Sequence, residues 1–369
     1  MAKTIVVHSE PLIEIVGEQR GVSGDLTNIA VGAARMRTML AEVFVGNPND
    51  VKITPLTAVG DDGRAGKILG FLSDNVVDTS AVISVSGRDT GAYEIVDIGE
   101  GKKRFDYIDR DDAAFRHVFS AGHPIIQAGS DGIVSNISSA TGSAIDRLVG
   151  KTDYFVITGI AASRPIDQKC MDAMFETVDR MKAGGAQIVV DGNYRPRLWE
   201  SEAKTREVME KLLRKADTVF ISFPDDAKAF AATEPAKWGS QDGVAAQLLA
   251  MGVKRVVVRE GERGATFYEA GKKIKIPAVL IPKDGNSNVV DPTGAGDTFL
   301  AATLVAESFG ANFPNALMAG SICAGRSVQH PGGVIRDDFV PEVDDVRTRI
   351  VEFHKALSAT SHTAGGKED

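Results

Sequence analysis

Asp291-Pro-Thr-Gly-Ala-Gly-Asp-Thr-Phe299 is the stretch on which the reading of this chain turns. Just upstream, Asn288-Val-Val290 reads as an extended approach. Downstream, Leu300, Thr303, Leu304 and Ser308 continue a helical run with the small residues Ala301 and Ala302. The spacing predicts a flexible turn at Gly294-Ala-Gly296 that opens a helix near Asp297. Glycine lets the backbone take positive φ without a Cβ clash. The first amides of a helix have no intrahelical partner, and the dipole is positive at that end. Together they suit a phosphate, or the charge on a phosphoryl group in flight. An acid at the lip of such an anion hole repels a resting phosphate, yet it sits where a base takes a proton from an attacking hydroxyl. The plain alternative is that Asp297 caps the helix.

The chain has 369 residues, enough for one large α/β domain or two smaller ones. Its 43% hydrophobic content is that of a globular chain able to bury a core. Lys and Arg number 42 against 50 Asp and Glu, a net of −8, which argues against a general nucleic-acid binder. The two cysteines, Cys170 and Cys323, form no Cys-x-x-Cys, and the six histidines are scattered, so no structural zinc site is expected. No long apolar run suggests a signal or a membrane span. The expectation is a soluble, cytoplasmic protein.

Strand-like runs alternate with helical ones along the chain. Thr4 to Val7, Lys52 to Val59, Asp153 to Ile160, Gln187 to Asp191, Asp217 to Ser222 and Lys254 to Val258 read as strands. Helices are expected from about Gly24 to Val43, Ile166 to Lys182, Ser201 to Lys215, Gly239 to Met251 and Asn315 to Val328. That order predicts a mostly parallel sheet covered by helices on both sides. From Ala81 to Arg116 the helical periodicity vanishes. Val82-Ile-Ser-Val85, Gly91-Ala-Tyr-Glu-Ile-Val96 and Arg104-Phe-Asp-Tyr-Ile108 read as strands, with Gly99-Glu-Gly-Lys-Lys103 as a hairpin turn. Residues 118–149 read as a turn-rich surface insertion, marked by Gly129-Ser-Asp-Gly132 and by Ser135 to Ser143. Ser358 to Asp369 is small and polar and reads as a disordered tail.

The nine-residue string resembles the C-terminal signature of the ribokinase-like (PfkB) sugar kinases. Ser23-Gly-Asp-Leu-Thr-Asn28 resembles that family's N-terminal sugar-binding signature, with Ser23 in place of its first glycine. Val59, Gly60, Asp62 and Gly66 resemble a third family motif, to which we assign no catalytic role. The resemblance implies an α/β ribokinase-like body over 1–9, 19–85 and 118–345, a small β-lid over 10–18 and 86–117, and a helix end and tail over 346–369. It implies that Asp297 is the catalytic base and that the amides of Gly294, Ala295, Gly296 and Asp297 form the anion hole. Gly24, Asp25 and Asn28 then face the sugar hydroxyls, and Gly159 and Ile160 lie beside the substrate. Ser222, Arg259, Gly261, Gly264, Thr293, Gly294 and Gly296 lie beside ATP. Asp291 and Thr293 hold a monovalent cation such as K+. Where the family carries Asn-x-x-Glu for magnesium, this chain has Ser222-Phe-Pro-Asp-Asp226, leaving Asp225 or Asp226 to serve.

Two further stretches bear on the substrate. Thr90-Gly-Ala-Tyr93 and Arg104-Phe-Asp-Tyr107 resemble the lid strands of 2-keto-3-deoxygluconate kinases, where two tyrosines and a following arginine meet the substrate. Tyr93 and Tyr107 match. The aligned position of the arginine is Asp109, and Arg110 comes one residue later. One residue in a strand means the opposite face unless a bulge restores it. Asp191-Gly-Asn-Tyr-Arg-Pro-Arg-Leu-Trp199 meets every fixed position of the family's Asp-x-Asn-x-Arg-x-x-Leu-Trp. In ketodeoxygluconate kinases that arginine, here Arg195, binds the acid end of the sugar, as the guanidinium fork suits. The resemblance thus implies an ATP- and magnesium-dependent kinase of a sugar acid, dimeric through the lid. A kinase of a neutral sugar or nucleoside, and a non-catalytic sugar-binding regulator, stay open beside it. No Gly-x-Gly-x-x-Gly follows the first strand and no Gly-x-x-x-x-Gly-Lys occurs, so a dinucleotide or Walker-type site is not expected.

Overall fold

Ile5, Val6 and Val7 leave no polar face for water, and in the computed structural model all three are buried inside a sheet. The structure describes residues 2–98, 103–120, 125–128, 137–231, 233–280, 282, 285 and 288–364. Eight strands lie in the spatial order Lys272–Ile276, Ala265–Glu269, Arg255–Arg259, Thr218–Ser222, Gln187–Asp191, Tyr154–Thr158, Lys3–His8 and Val51–Pro55. The strands from Arg255–Arg259 to Val51–Pro55 pair in parallel, and the other two add antiparallel.

Side chains alternate across a strand, so each one feeds two cores. Val7, Val156, Val189, Phe220 and Val257 face one layer, which holds the helices Asp25–Phe44, Gly63–Asp74, Ala295–Ser308 and Phe313–Ser327. Val6, Phe155, Ile157, Ile188, Val219 and Val258 face the other, which holds Ile137–Leu148, Gln168–Ala183, Glu202–Leu213 and Gln241–Ala250. Burying each such side chain contributes about 1.5–3 kcal/mol. A sheet covered on both faces therefore needs near-continuous apolar strands, as the sequence has.

The chain leaves Lys3–His8, passes the site, and enters a second sheet ordered Gln19–Ser23, Leu12–Val16, Ala92–Asp97 and Lys103–Ile108. This sheet holds the strands expected to form the lid. It also takes in Gln19–Ser23, which the sequence reading left with the body; the turn at Gly17, with φ 58, folds that strand back onto Leu12–Val16. A third sheet joins Thr57–Val59, Val82–Val85 and Ile125–Ala128.

Several expectations need correction. Lys52 to Val59 is two strands, since the chain changes sheets at Leu56. Asn288 to Val290, expected as an extended approach, carries no regular secondary structure, and the amides of Val290 and Asp291 both donate to the Val328 carbonyl. The expected surface insertion carries the helix Ile137–Leu148. Its Thr141, Ala144, Ile145 and Leu148 recur at helical spacing and are buried, a pattern that the surrounding Ser and Gly mask in the sequence. The C-terminal helix Val343–Ala364 runs through part of the expected tail. The turn at 99–102, the stretch Gly129 to Gly132 and residues 365–369 lie outside the described residues.

Candidate active site

Gly294 caps the helix Ala295–Ser308 in the left-handed region, φ 73. A Cβ there would lie 2.0 Å from the Gly333 carbonyl oxygen, so only glycine fits. The Ala295 amide turns back to the Pro292 carbonyl at 3.2 Å, and the first intrahelical bond runs from Thr298 N to the Gly294 carbonyl, 2.8 Å. Ala295 thus has its amide occupied, contrary to expectation. The amides of Gly296 and Asp297 precede that first intrahelical bond and so have no partner within the helix.

Asp297 is 8% exposed and accepts a 2.8 Å bond from Asn28 Nδ2. Burial pushes its carboxyl up to about 7; repulsion from Asp25 and Asp191 adds to this, while Asn28 and Arg259 hold it down. Asp25 is also buried and also raised, burial first, with hydrogen bonds from Ser9 and Thr158 opposing. Thr158 Oγ1 donates to Asp25 at 2.6 Å, and Ser9 Oγ meets Thr158 Oγ1 at 2.7 Å. Ser9 follows the strand Lys3–His8 and Thr158 ends its neighbour, Tyr154–Thr158. The sheet order reverses between those two strands, at the C-terminal edge where open α/β sheets bind ligands. Gly24, φ 94, brings the helix of Asp25 and Asn28 to that crevice; a Cβ would lie 2.5 Å from the Glu10 carbonyl oxygen. Gly159 is buried there too, where a Cβ would lie 1.9 Å from the Gly192 carbonyl oxygen, and Ile160 is half-buried.

Tyr93 and Tyr107 are cross-strand partners in the lid, their rings 6.0 Å apart. Tyr93 Oη donates to Glu14 at 2.5 Å and also meets Ser23 Oγ at 2.8 Å. The register problem at Asp109 resolves as a kink. Asp109 takes φ 52 just past the strand and turns out to Arg64, 2.8 Å away. Arg110 thereby turns inward, 5% exposed, with its guanidinium 4.3 Å from the Tyr107 ring centre. Arg197 covers the same ring at 4.2 Å and donates to the Tyr107 hydroxyl. Arg195 is exposed, and its guanidinium donates to the carbonyl of its neighbour Tyr194, 3.1 Å. The polar loop thus meets the lid through Arg197.

On the expected nucleotide side, Ser222 ends its strand in register with Arg259. Arg259 is drawn inward. It forks onto Asp191, with contacts of 3.0 and 2.5 Å, and donates to the Gly296 carbonyl at 3.0 Å. Gly261 has open space around it, whereas Gly264 is pressed against the Ile276 carbonyl. Asp291 accepts from the Thr293 amide and hydroxyl at 3.0 and 2.6 Å, and from the Gly332 amide at 3.3 Å. Asp225, expected at the magnesium, has an exposed side chain paired with Lys228 at 2.6 Å. Asp226 is the inward acid, but it accepts from the amides of Ser222 and Tyr194 at 2.6 and 2.7 Å. Among the described residues, no group of three or more His, Cys, Asp or Glu is arranged to hold a metal ion. Sequence reasoning missed Glu10, Arg164, Asp191 and Arg197 as site residues. The available signals were the quoted loop string, which holds Asp191 and Arg197, and a lone acid, Glu10, set between two apolar runs.

A family model described as pfkB family carbohydrate kinase matches residues 129–338, more than half of the chain. The 2-dehydro-3-deoxygluconokinase of Escherichia coli (strain K12) is 28% identical over 348 residues, covering 92% of this chain and 100% of that protein. The protein of the same name from Dickeya dadantii (strain 3937) is 25% identical over 346 residues, covering 92% and 99%. A crystal structure of fructokinase with bound ATP from Xylella fastidiosa superposes with a TM-score of 0.70 at 19% identity, over 95% of this chain and 99% of that one. That likeness establishes a ribokinase-like fold.

Proposed function

Because this chain belongs to the pfkB family of carbohydrate kinases, we propose that it moves the γ-phosphoryl group of ATP to a primary hydroxyl of a small sugar acid of the 2-dehydro-3-deoxygluconate type. It is an ATP-dependent sugar kinase. The observation that carries the residue assignment is Asp297, a buried carboxyl raised to about 7 within the first turn of a helix. A base of that pKa takes a proton near neutral pH. Asp25 and Asn28 hold the sugar hydroxyls, and Asp297 deprotonates the one that attacks. The amides of Gly296 and Asp297 and the helix dipole face the charge on the phosphoryl group. Alignment supplies most of the effect in such a transfer. Lid closure excludes water as the competing acceptor.

Magnesium enters as part of the ATP substrate, keeping its waters; Asp225 and Asp226 are committed elsewhere. A monovalent cation belongs at Asp291 and Thr293, where a single carboxylate is steadied by Thr293 and Gly332. The protein acts in the cytoplasm, where its ATP is, and as a dimer through the lid. The acid-sugar reading draws on Arg110 beneath Tyr107. The neutral-sugar reading draws on Glu10, which already faces Arg110. ADP release from ATP–magnesium with 2-dehydro-3-deoxygluconate tests the reaction. Asp297→Asn should lower turnover on the order of 10²–10⁴-fold; near-normal turnover in that variant refutes the base.

A further inference from the structure

Glu10 is 0% exposed, in the three-residue link Ser9-Glu10-Pro11 between the body strand Lys3–His8 and the strand Leu12–Val16. A buried carboxylate needs charge partners, and two arginines supply them. Arg110 directs both Nε, at 2.8 Å, and Nη2 onto Glu10 Oε2. Arg164 brings Nε to 3.4 Å from Glu10 Oε1 and donates Nη2 to the Arg110 carbonyl. Arg164, from the body just after the strand Tyr154–Thr158, is 5% exposed like Arg110. Arg116 adds a third guanidinium, donating to the Arg164 carbonyl at 3.1 Å.

Two features of this cluster matter. Arg110 spends its Nε–Nη2 edge on Glu10, while Nη1 donates to no described residue and is not sealed from solvent. Glu10, Arg110 and Arg164 together carry one positive charge more than negative. Asp25 adds a second carboxylate beside Arg110, hydrogen-bonded by Thr158 and Ser9, and Arg116 a third guanidinium, so the five groups keep that excess of one. A buried uncompensated charge is unfavourable, and an incoming carboxylate would balance it.

We infer that Glu10 is a positioning residue that grips one edge of Arg110, so that the other edge receives the carboxylate of the sugar. The inference rests on the acid-sugar reading. It makes Glu10 part of how an acid sugar is chosen, rather than a neutraliser of Arg110. Arg164 keeps the cluster positive after Glu10 has taken its share. Because the link at Glu10 and the foot of the lid at Arg110 meet here, the grip also fixes where the lid places Arg110.

The test compares wild type with Glu10→Gln, Glu10→Asp and the double variant Glu10→Gln/Arg164→Met. The double variant removes a buried charge together with its counter-charge, so it remains informative if Glu10→Gln does not fold. Substrates are 2-dehydro-3-deoxygluconate and 3-deoxyfructose, in which a hydroxymethyl group replaces the carboxylate. Wild type is read first: absence of turnover with the acid sugar overturns the substrate reading and this inference with it. Given turnover, the ratio of KM for the acid sugar to KM for 3-deoxyfructose should rise about tenfold to a hundredfold in Glu10→Gln and in the double variant. Glu10→Asp should recover part of that rise. A ratio unchanged from wild type in the folded variants, with both KM values moving together, means that Glu10 only supports the hinge and overturns the inference.

Discussion

Replacing Asp297 by Asn should make the protein more stable, and more so at high pH than at low. The carboxyl is raised from the ordinary 3.8 to about 7, by burial first and by Asp25 and Asp191 next. A raised acid destabilises the fold above its folded pKa, where it must ionise inside the protein. That penalty shrinks as pH falls through 7 and is gone below the unfolded value. At about 1.4 kcal/mol per pH unit, the full penalty is about 4 kcal/mol at pH 9 and between 1 and 2 kcal/mol, roughly, at pH 5. Asn carries no such penalty, and its side-chain oxygen can still accept from Asn28. The advantage of Asp297→Asn over wild type should therefore be greater by about 2–3 kcal/mol at pH 9 than at pH 5. Urea unfolding of both proteins at the two pH values measures it, and titrating groups that do not interact with Asp297 cancel in the difference. An equal advantage at both pH values refutes a raised Asp297, and with it the reason that this acid can act as a base near neutrality.

Three more outcomes are expected. Arg259→Met leaves Asp191 buried without its fork and should destabilise the fold by about 3–5 kcal/mol, with much of the loss recovered in the Asp191→Asn/Arg259→Met double variant; full stability in the single variant contradicts the pairing. Gly294→Ala places a Cβ against the Gly333 carbonyl at a positive φ, which alone is unfavourable by about 1–2 kcal/mol, and turnover should fall because the first turn must shift; unaltered kinetics would argue against that turn as the anion site. The sheet proposed as the lid ends in Gln19–Ser23 and Lys103–Ile108, whose outer edges have no strand partner among the described residues, and Val16 and Ile98 are exposed beside them. Sedimentation at micromolar concentration should therefore give a dimer, and a monomer there removes the proposal.

The body strands were legible because a sheet covered on both sides demands runs such as Ile5-Val6-Val7 and Val256-Val257-Val258, which no other element explains as well. The hairpin Ala265–Glu269 and Lys272–Ile276 escaped notice, since the edge strand alternates Lys with Ile and its turn is only Ala270-Gly271. The helix Ile137–Leu148 was hidden by Ser, Thr and Gly at positions that packing tolerates. At the site, Gly294 and Asp297 stood out because a turn that opens a helix has a local signature. The Arg110 register could not be settled from sequence. Whether Asp109 or Arg110 faces inward depends on one residue taking φ 52, which its neighbours do not announce. Glu10 and Arg164 are 154 residues apart and meet only through the sheet, and nothing local in either segment points to the other.

The most direct test of the central claim compares kcat/KM for 2-dehydro-3-deoxygluconate and for fructose with ATP–magnesium. The arrangement around Arg110 predicts a preference for the acid sugar of about a hundredfold or more, since a site built for a charged group is left unpaired by a neutral one. Equal or better turnover of fructose would contradict it, and would make Glu10 the residue that closes Arg110 to acid substrates.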